Sequence, residues 1–462
     1  YSQVCIKSGL ADYGTVKGTM IIRPLGYAIW EIIQEYFNKN IVEKTKVSNA
    51  YFPLFIPESF FKKESSHAKG FSPEVAWIDQ KLTSGERLAI RPTSETIIYD
   101  SFSKWIRSHR DLPLKINQWC NVVRWETQAT KLFLRSREFL WQEGHCVYES
   151  EKECKKDTIN YINLYKKLCE ELLALQVVVG KKTEKEKFAG AEASYTIEAF
   201  MPDGKALQCG TSHELGQGFA KAFNINFIGK DDKTHTPWQN SWGLSTRLIG
   251  GMVMTHSDDN GLVLPPKVAE NKIVIIPILI GKETKKILDK SKELFDSLKE
   301  FNPILDDRID YTPGWKYNEY ELKGIPIRIE MGPKDIENNQ AILVRRDSKE
   351  KKPVRISSLK KEIQNTLDEI QKSLLNKSKK HLENSIEKTN NLSDFEKAIK
   401  NKKIVLVPFC NNIKCENSIK EKIEGVNSRC IPFDSTGKSS KNEKCIFCKK
   451  DATCKTYFSR SY

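Results

Sequence analysis

Residues 116–126 read INQWCNVVRWE and residues 137–148 read REFLWQEGHCVY. Both runs are rich in aromatic and branched apolar residues, and 127–134 between them reads as a loop, so the pair predicts a long antiparallel hairpin. Strands put alternate residues on one face, so Arg124 and Glu126 point the same way, as do Arg137, Phe139 and Trp141. A sheet face with several arginines and an aromatic suits a nucleotide, with guanidinium forks for phosphates and a ring for the base. A ladder of cross-strand salt bridges would read the same way, so the hairpin alone leaves both uses open.

Around the hairpin lie three polar turns. RPTSE at 91–95 precedes a predicted helix over 97–106. QCGTSHE at 208–214 precedes a predicted helix over 215–223, with Thr211 and Glu214 spaced as a capping box. GLSTR at 243–247 leads into LIGGMVMTH, which Ser245 can cap. Arg247 then sits in the first turn, where a cation opposes the helix dipole and argues for an anion nearby. Capping explains the hydroxyls but not Glu95, Gln208 and His213 beside them. An amphipathic helix is predicted over 27–42, a helical stretch over 153–175, and a short strand over 196–200.

The 462 residues carry 75 Lys+Arg against 60 Asp+Glu, a net charge of +15, which points to a polyanionic partner. The longest apolar run, IVIIPILI at 273–280, contains a proline and falls well short of the ~20 residues a membrane span needs. A spanning protein is therefore not expected. The opening Tyr1-Ser2-Gln3 lacks a basic start and an apolar core, and six cysteines are scattered before residue 400, which fits reduced thiols in the cytoplasm.

Three blocks follow from the pattern: 1–270, 271–360 and 361–462. The second alternates strand and helix, as a small α/β unit does. The third is Lys-rich and helical to 403, then enters a strand and a crowd of six cysteines. Cys410-x4-Cys415 and Cys445-x2-Cys448 suit a closed tetrahedral thiolate site for Zn²⁺, with a structural rather than catalytic role. Cys430 and Cys454 are spare, and Cys454 competes with Cys448 for a place.

Taken together, Arg124-x-Glu126 with Arg135 resembles motif 2 of the class II aminoacyl-tRNA synthetases. GLSTR ending at Arg247 resembles motif 3, and the 27–42 helix leading to Tyr51-Phe52-Pro53 resembles motif 1. RPTSE, LWQEGH at 140–145, KTEKEKFAGA at 182–191 and GTSHELGQ at 210–217 look like the prolyl-tRNA synthetase family of the eukaryotic and archaeal type. The resemblance covers essentially the whole chain. It implies an α+β protein: a class II antiparallel-sheet catalytic domain, an α/β anticodon-binding domain and a small C-terminal zinc-binding α/β domain. It also implies L-proline, ATP with Mg²⁺ and tRNA(Pro) as ligands, and a homodimer. The alternative is a relative that binds tRNA without catalysis, which should have lost one of Arg124, Arg135 and Arg247.

The resemblance assigns roles residue by residue. Arg124 holds the α-phosphate and the amino-acid carboxylate, and Arg135 and Arg247 hold the outer phosphates, with Arg124 and Arg247 as the catalytic pair. Phe139 stacks on adenine and Glu126 reads its amino group, while Gln208, Thr211 and Ser245 line the ATP site. Thr93 and Glu95 accept the two N–H hydrogens of proline, and Trp141, His145 and His213 enclose its ring. Glu321, Arg328, Lys334 and Asp335 occupy positions that read the anticodon, with a strand residue facing solvent as the lesser alternative for Arg328. Between His145 and Gln208 the sequence leaves no room for the large editing insertion of bacterial-type relatives.

Overall fold

The computed structural model describes residues 1–67, 75–125, 129–279, 283–440 and 442–462. The hairpin forms as expected. Strands β1 (Leu114–Val123) and β2 (Glu138–Tyr148) pair antiparallel, with Leu114 opposite Val147 and Val123 opposite Glu138. Strands β3 (Val178–Lys181), β4 (Ala193–Phe200), β5 (Lys205–Gly216) and β6 (Trp238–Ser245) extend this sheet. Trp242 lies flat across β2 at Gly144, where a Cβ would come within 2.1 Å of the indole. Its other face stacks on Tyr161 at 4.0 Å.

Helices cover this sheet. Helix α1 (Pro24–Phe37) starts at a proline, which needs no N–H partner there, and buries Ile29, Trp30, Ile33 and Phe37 on one face. It continues into a π turn over Asn38–Val42, so the single helix expected over 27–42 is two pieces. Helices α2 (Glu95–Trp105), α3 (Glu151–Glu171) and α4 (Arg247–His256) follow. Ser150 caps α3 by accepting the Glu153 N–H at 3.3 Å.

Three local expectations are corrected here. Residues 208–214 are not a turn with a capping box; they form the middle of β5, paired with β4 on one side and β6 on the other. The helix expected over 215–223 shrinks to Gly218–Ala222. Ser245 is the last residue of β6 rather than a cap: Thr246 holds the N-cap position without a side-chain bond, and Ser245 Oγ accepts only the Arg247 N–H at 3.3 Å.

The second unit is a five-stranded sheet among the described residues, built from β7 (Ile273–Pro277), β8 (Ile304–Leu305), β9 (Ile327–Met331), β10 (Gln340–Arg345) and β11 (Lys351–Arg355). Helices α5 (Thr284–Ser297) and α6 (Pro313–Lys323) connect the parallel strands, and α7 (Ile356–Ser385) packs Leu359, Ile363 and Ile370 against the sheet. The helical stretch expected to run to 403 breaks at Ser385, passes a short strand, and resumes as α8 (Leu392–Lys400).

The last unit is joined to the first by backbone pairing. Strand β12 (Ile404–Phe409) precedes α9 (Ile413–Lys422), and β13 (Cys454–Ser461) returns antiparallel to β12. The far end of β13 also pairs parallel with β5, Lys205 to Arg460 and Ala206 to Ser461. One sheet, twelve-stranded among the described residues, therefore runs β12-β13-β5-β6-β2-β1 through its centre. Tyr462 donates its hydroxyl to Asp203 and contacts Met254 Sδ at 3.3 Å, fastening the last unit to the first.

Candidate active site

Strands β2, β5 and β6, the turn before α2 and the loop after β3 surround one cavity of about 280 Å³. Strand periodicity places part of its wall. Thr211 and His213 are two apart on β5 and face it together. Gln208 is three residues from Thr211 and should face away, but Cys209 is an extra residue at a bulge: Ile197 pairs with Gly210 and Glu198 with Gln208. The bulge turns Gln208 back toward the cavity.

At one end, Thr93 donates its hydroxyl to the Glu95 carboxylate. Arg91 beneath them is 1% exposed and spent on structure, donating to Phe52 O at 2.7 Å and Asn121 O at 2.8 Å. Trp141 stands beside this pair and donates its indole N–H to Cys120 Sγ at 3.2 Å. His213 shares a hydrogen bond with Ser194 Oγ at 2.8 Å and lies 4.8 Å from the Phe188 ring. Burial, then the Lys182 charge, pushes its pKa down to about 3, so the imidazole is neutral at pH 7.

His145 does not join that wall. It is 1% exposed, meeting Tyr99 Oη at 3.0 Å and Glu143 Oε2 at 3.2 Å under α2. Glu143 in turn accepts Gln118 Nε2 at 2.9 Å and the Ser94 N–H at 3.3 Å. Trp141, Glu143 and His145 share one strand face, but α2 covers its lower half. His145 therefore shapes the RPTSE turn from behind instead of enclosing a ligand.

The other end is cationic. Arg124 donates Nε to Pro92 O at 3.2 Å and lies 5.6 Å from both the Phe139 and the Trp141 rings. Arg247 donates Nε to Leu134 O at 3.1 Å, which aims its fork across β5. Arg135 lines a small cleft that shares Arg124, Phe139, Ser245 and Arg247 with the main cavity. Burial, then Arg124 and Arg135, pulls the Arg247 pKa down to about 10. Three guanidiniums that repel one another around a cavity are arranged for an anion.

Glu126 lies outside the described residues. The cavity also takes in Lys182, Glu186, Phe188 and Ser194, which the sequence reading did not assign. The first three lie within the quoted 182–191 string, so that string was the available signal.

In the second unit, Arg328 is buried rather than facing solvent. Its guanidinium meets Glu321 at 2.9 Å and Glu330 at 3.0 Å and lies 4.0 Å from the Tyr317 ring. Asp335 accepts the Gly332 N–H at 2.9 Å, and Lys334 beside it is exposed. In the third unit, the sulfurs of Cys410, Cys415, Cys445 and Cys448 all lie within 4.8 Å of one another. Cys415 to Cys445 is 3.8 Å and Cys410 to Cys448 is 3.6 Å. A Zn–S length of about 2.3 Å gives a tetrahedron edge of about 3.8 Å, so the four thiols fit zinc. Cys454 instead contacts Phe409 O at 3.6 Å, and Cys430 packs against Gly180.

Comparison with known proteins covers all three units. The tRNA synthetase class II core domain (G, H, P, S and T) matches residues 77–256, the anticodon binding domain 272–366, and the prolyl-tRNA synthetase C-terminal family 392–462. The chain is 48% identical over 465 residues to a proline–tRNA ligase of Clostridium novyi (strain NT), covering 100% of this chain and 96% of that one. It is 49% identical over 471 residues to that of Alkaliphilus oremlandii (strain OhILAs), covering 100% and 95%. Among solved structures it is similar to the prolyl-tRNA synthetase from Cryptosporidium parvum complexed with halofuginone and AMPPNP. That match has a TM-score of 0.93 and 44% identity and covers 100% of this chain and 94% of that one.

Proposed function

The chain belongs to the prolyl-tRNA synthetases of class II, and from that premise we propose which of its residues carry the ATP-dependent ligation of proline to tRNA(Pro). The observation that carries the reading is that Arg124 and Arg247 line one cavity, with Arg135 in the small cleft that adjoins it, while the opposite end of the cavity holds Thr93, Glu95, Trp141 and His213. The chain has kept all three arginines, which speaks against a relative that only binds tRNA.

In the first step the proline carboxylate attacks the α-phosphorus of ATP in line and pyrophosphate leaves, forming prolyl-adenylate. In the second a hydroxyl of the terminal adenosine of the tRNA attacks the carbonyl carbon, and AMP leaves. Neither step needs a covalent enzyme nucleophile; the protein orients reactants and stabilises developing charge. Arg124 contacts both the carboxylate and the α-phosphate, and Arg247 and Arg135 take the outgoing pyrophosphate oxygens. ATP enters as its magnesium complex, in which Mg²⁺ offsets part of the phosphate charge. Phe139 stacks on adenine, and Gln208, Thr211 and Ser245 line the nucleotide. Glu95 and Thr93 accept the two hydrogens of the secondary ammonium, a charge-assisted pair. Trp141 and the neutral His213 flank the ring, and His145 acts behind the wall.

The three domains are read as 1–270, 271–360 and 361–462. Glu321, Arg328, Lys334 and Asp335 are read as the anticodon contacts from the family resemblance, with Arg328 held in place by Glu321 and Glu330 and Lys334 exposed beside it. The four clustered thiols are read as a closed, structural zinc site. The eukaryotic and archaeal arrangement is supported by positions 146–207, which hold one long helix and short strands with no inserted domain. A homodimer is supported by the large apolar side chains left exposed near the N-terminus, among them Tyr51, Phe55 and Trp77. Among the described residues no helix is long and apolar enough to cross a membrane. None of the twelve cysteines is paired in a disulfide, which supports a cytoplasmic location.

Proline-dependent exchange of pyrophosphate into ATP, with threonine as control, tests the reading. Exchange with threonine only would overturn it.

A further inference from the structure

The wall of the amino-acid pocket contains a buried ion cluster that the two chemical steps leave without a role. Glu198 on β4 is 2% exposed. One of its oxygens takes Lys182 Nζ at 2.8 Å, and the other takes Arg429 at 2.6 and 3.1 Å. Lys182 lines the cavity, whereas Arg429 comes from the C-terminal unit, far away in sequence. Burial opposes ionisation of Glu198, but Arg429 and then Lys182 outweigh it and hold its pKa at about 2. A buried charge cluster is a poor source of stability, because apolar residues of equal volume do as well. What charges add is fixed direction.

The neighbouring contacts point the same way. The hydroxyls of Thr183 and Ser428 meet at 3.0 Å, and Ser428 donates to the buried Glu416 at 2.6 Å. The Glu184 N–H donates to Asn411 Oδ1 at 3.1 Å. Three successive residues, 182 to 184, are thus fixed by the C-terminal unit, Lys182 through Glu198 and the other two directly. The same loop goes on to supply Glu186 and Phe188 to the cavity, with Phe188 against His213.

We propose that Arg429 is a positioning residue for proline: reaching from the C-terminal unit through Glu198, it fixes Lys182 and the head of the 182–191 loop. Through this contact the C-terminal unit sets the shape of the amino-acid pocket. This rests on the pocket assignment given above.

The test uses the full chain and pyrophosphate exchange, varying proline at saturating ATP and ATP at saturating proline. Arg429→Met should raise KM for proline about tenfold or more while KM for ATP stays within about twofold. Arg429→Lys, which keeps the charge, should recover most of that loss. Glu198→Gln keeps the shape, removes the charge, and carries the test if Arg429→Met does not fold. A lower thermal midpoint with both KM values unchanged, or equal rises in both, would overturn the proposal with the pocket assignment intact. Absence of proline-dependent exchange in the unaltered protein would overturn the assignment, and the proposal with it.

Discussion

Arg346 grips Asp258 with both terminal guanidinium nitrogens, at 2.7 and 2.8 Å, and so ties the anticodon-binding unit to the catalytic one. Its third nitrogen donates to Glu321 O at 2.9 Å, and the Glu321 side chain holds Arg328. One residue therefore touches both the junction and the edge read as the anticodon contact. Arg346→Met should leave proline-dependent pyrophosphate exchange within about twofold and lower kcat/KM for charging tRNA about tenfold, because only the second step needs both units in register. Equal losses in the two assays would show the contact to be general scaffolding.

Arg247 offers a sharper contrast between stability and function. Burial and the two neighbouring arginines disfavour its charge when no anion is bound. Arg247→Met should cut kcat/KM for ATP by about 10²–10³, the usual size for a charge-stabilising donor. The thermal midpoint of the ligand-free protein should stay level or rise, since a repulsion is removed. A fall of several degrees would mean that Arg247 is chiefly structural.

Glu198 predicts an acid response of known sign. Its folded pKa of about 2 lies below the ordinary 4.5, so its contribution to stability is fully present above pH 4.5 and is lost as pH falls toward 2. A shift of this size corresponds to about 3 kcal/mol. Unfolding free energies of the unaltered protein and of Glu198→Gln, from denaturant titrations through that window, should converge by about this amount. A gap that stays constant with pH would contradict the ion cluster.

The hairpin was legible because its periodicity is local and the two strand-like runs are separated by a stretch without it. The fold class followed from it once the other motifs were read in order. Strand β5 was misread because Gly210, Thr211 and Ser212 look like a turn, and Thr211 with Glu214 looks like a cap. Pairing with strands on both sides overrides that local preference. His145 failed for a different reason. Alternation says which face a residue is on, not what covers it, and α2 covers the half that holds His145. Helix α6 was missed although its signals were present: Thr312 capping Trp315, Pro313 in the first turn and Gly324 at the end. Lys182 and Arg429 are separated by most of the chain, and no short-range pattern reports such a contact.

The thiol cluster predicts about one zinc per chain by elemental analysis. Removing it with a chelator should lower the thermal midpoint, since the binding energy of a structural metal is also folding energy. Cys415→Ser should lose the metal, whereas Cys454→Ser should keep it, because Cys454 lies outside the four-sulfur cluster. Retention of zinc in Cys415→Ser would move the site elsewhere.

Discrimination among amino acids is the last consequence of the pocket. Thr93 and Glu95 recognise an ammonium, which every amino acid has, so rejection of smaller substrates rests on the apolar wall of Trp141 and Phe188. Loss of a methylene from such a wall changes binding by only about 1–3 kcal/mol. Alanine and cysteine, being smaller than proline, enter without a clash and lose only that contact. Pyrophosphate exchange with each should therefore be measurable, at a kcat/KM below that for proline by a factor on the order of 10–10². With no inserted domain over 146–207 to hydrolyse the products, removal of misactivated alanine would fall outside that stretch. Exchange undetectable with both would mean that the pocket closes around the proline ring more tightly than an apolar wall allows.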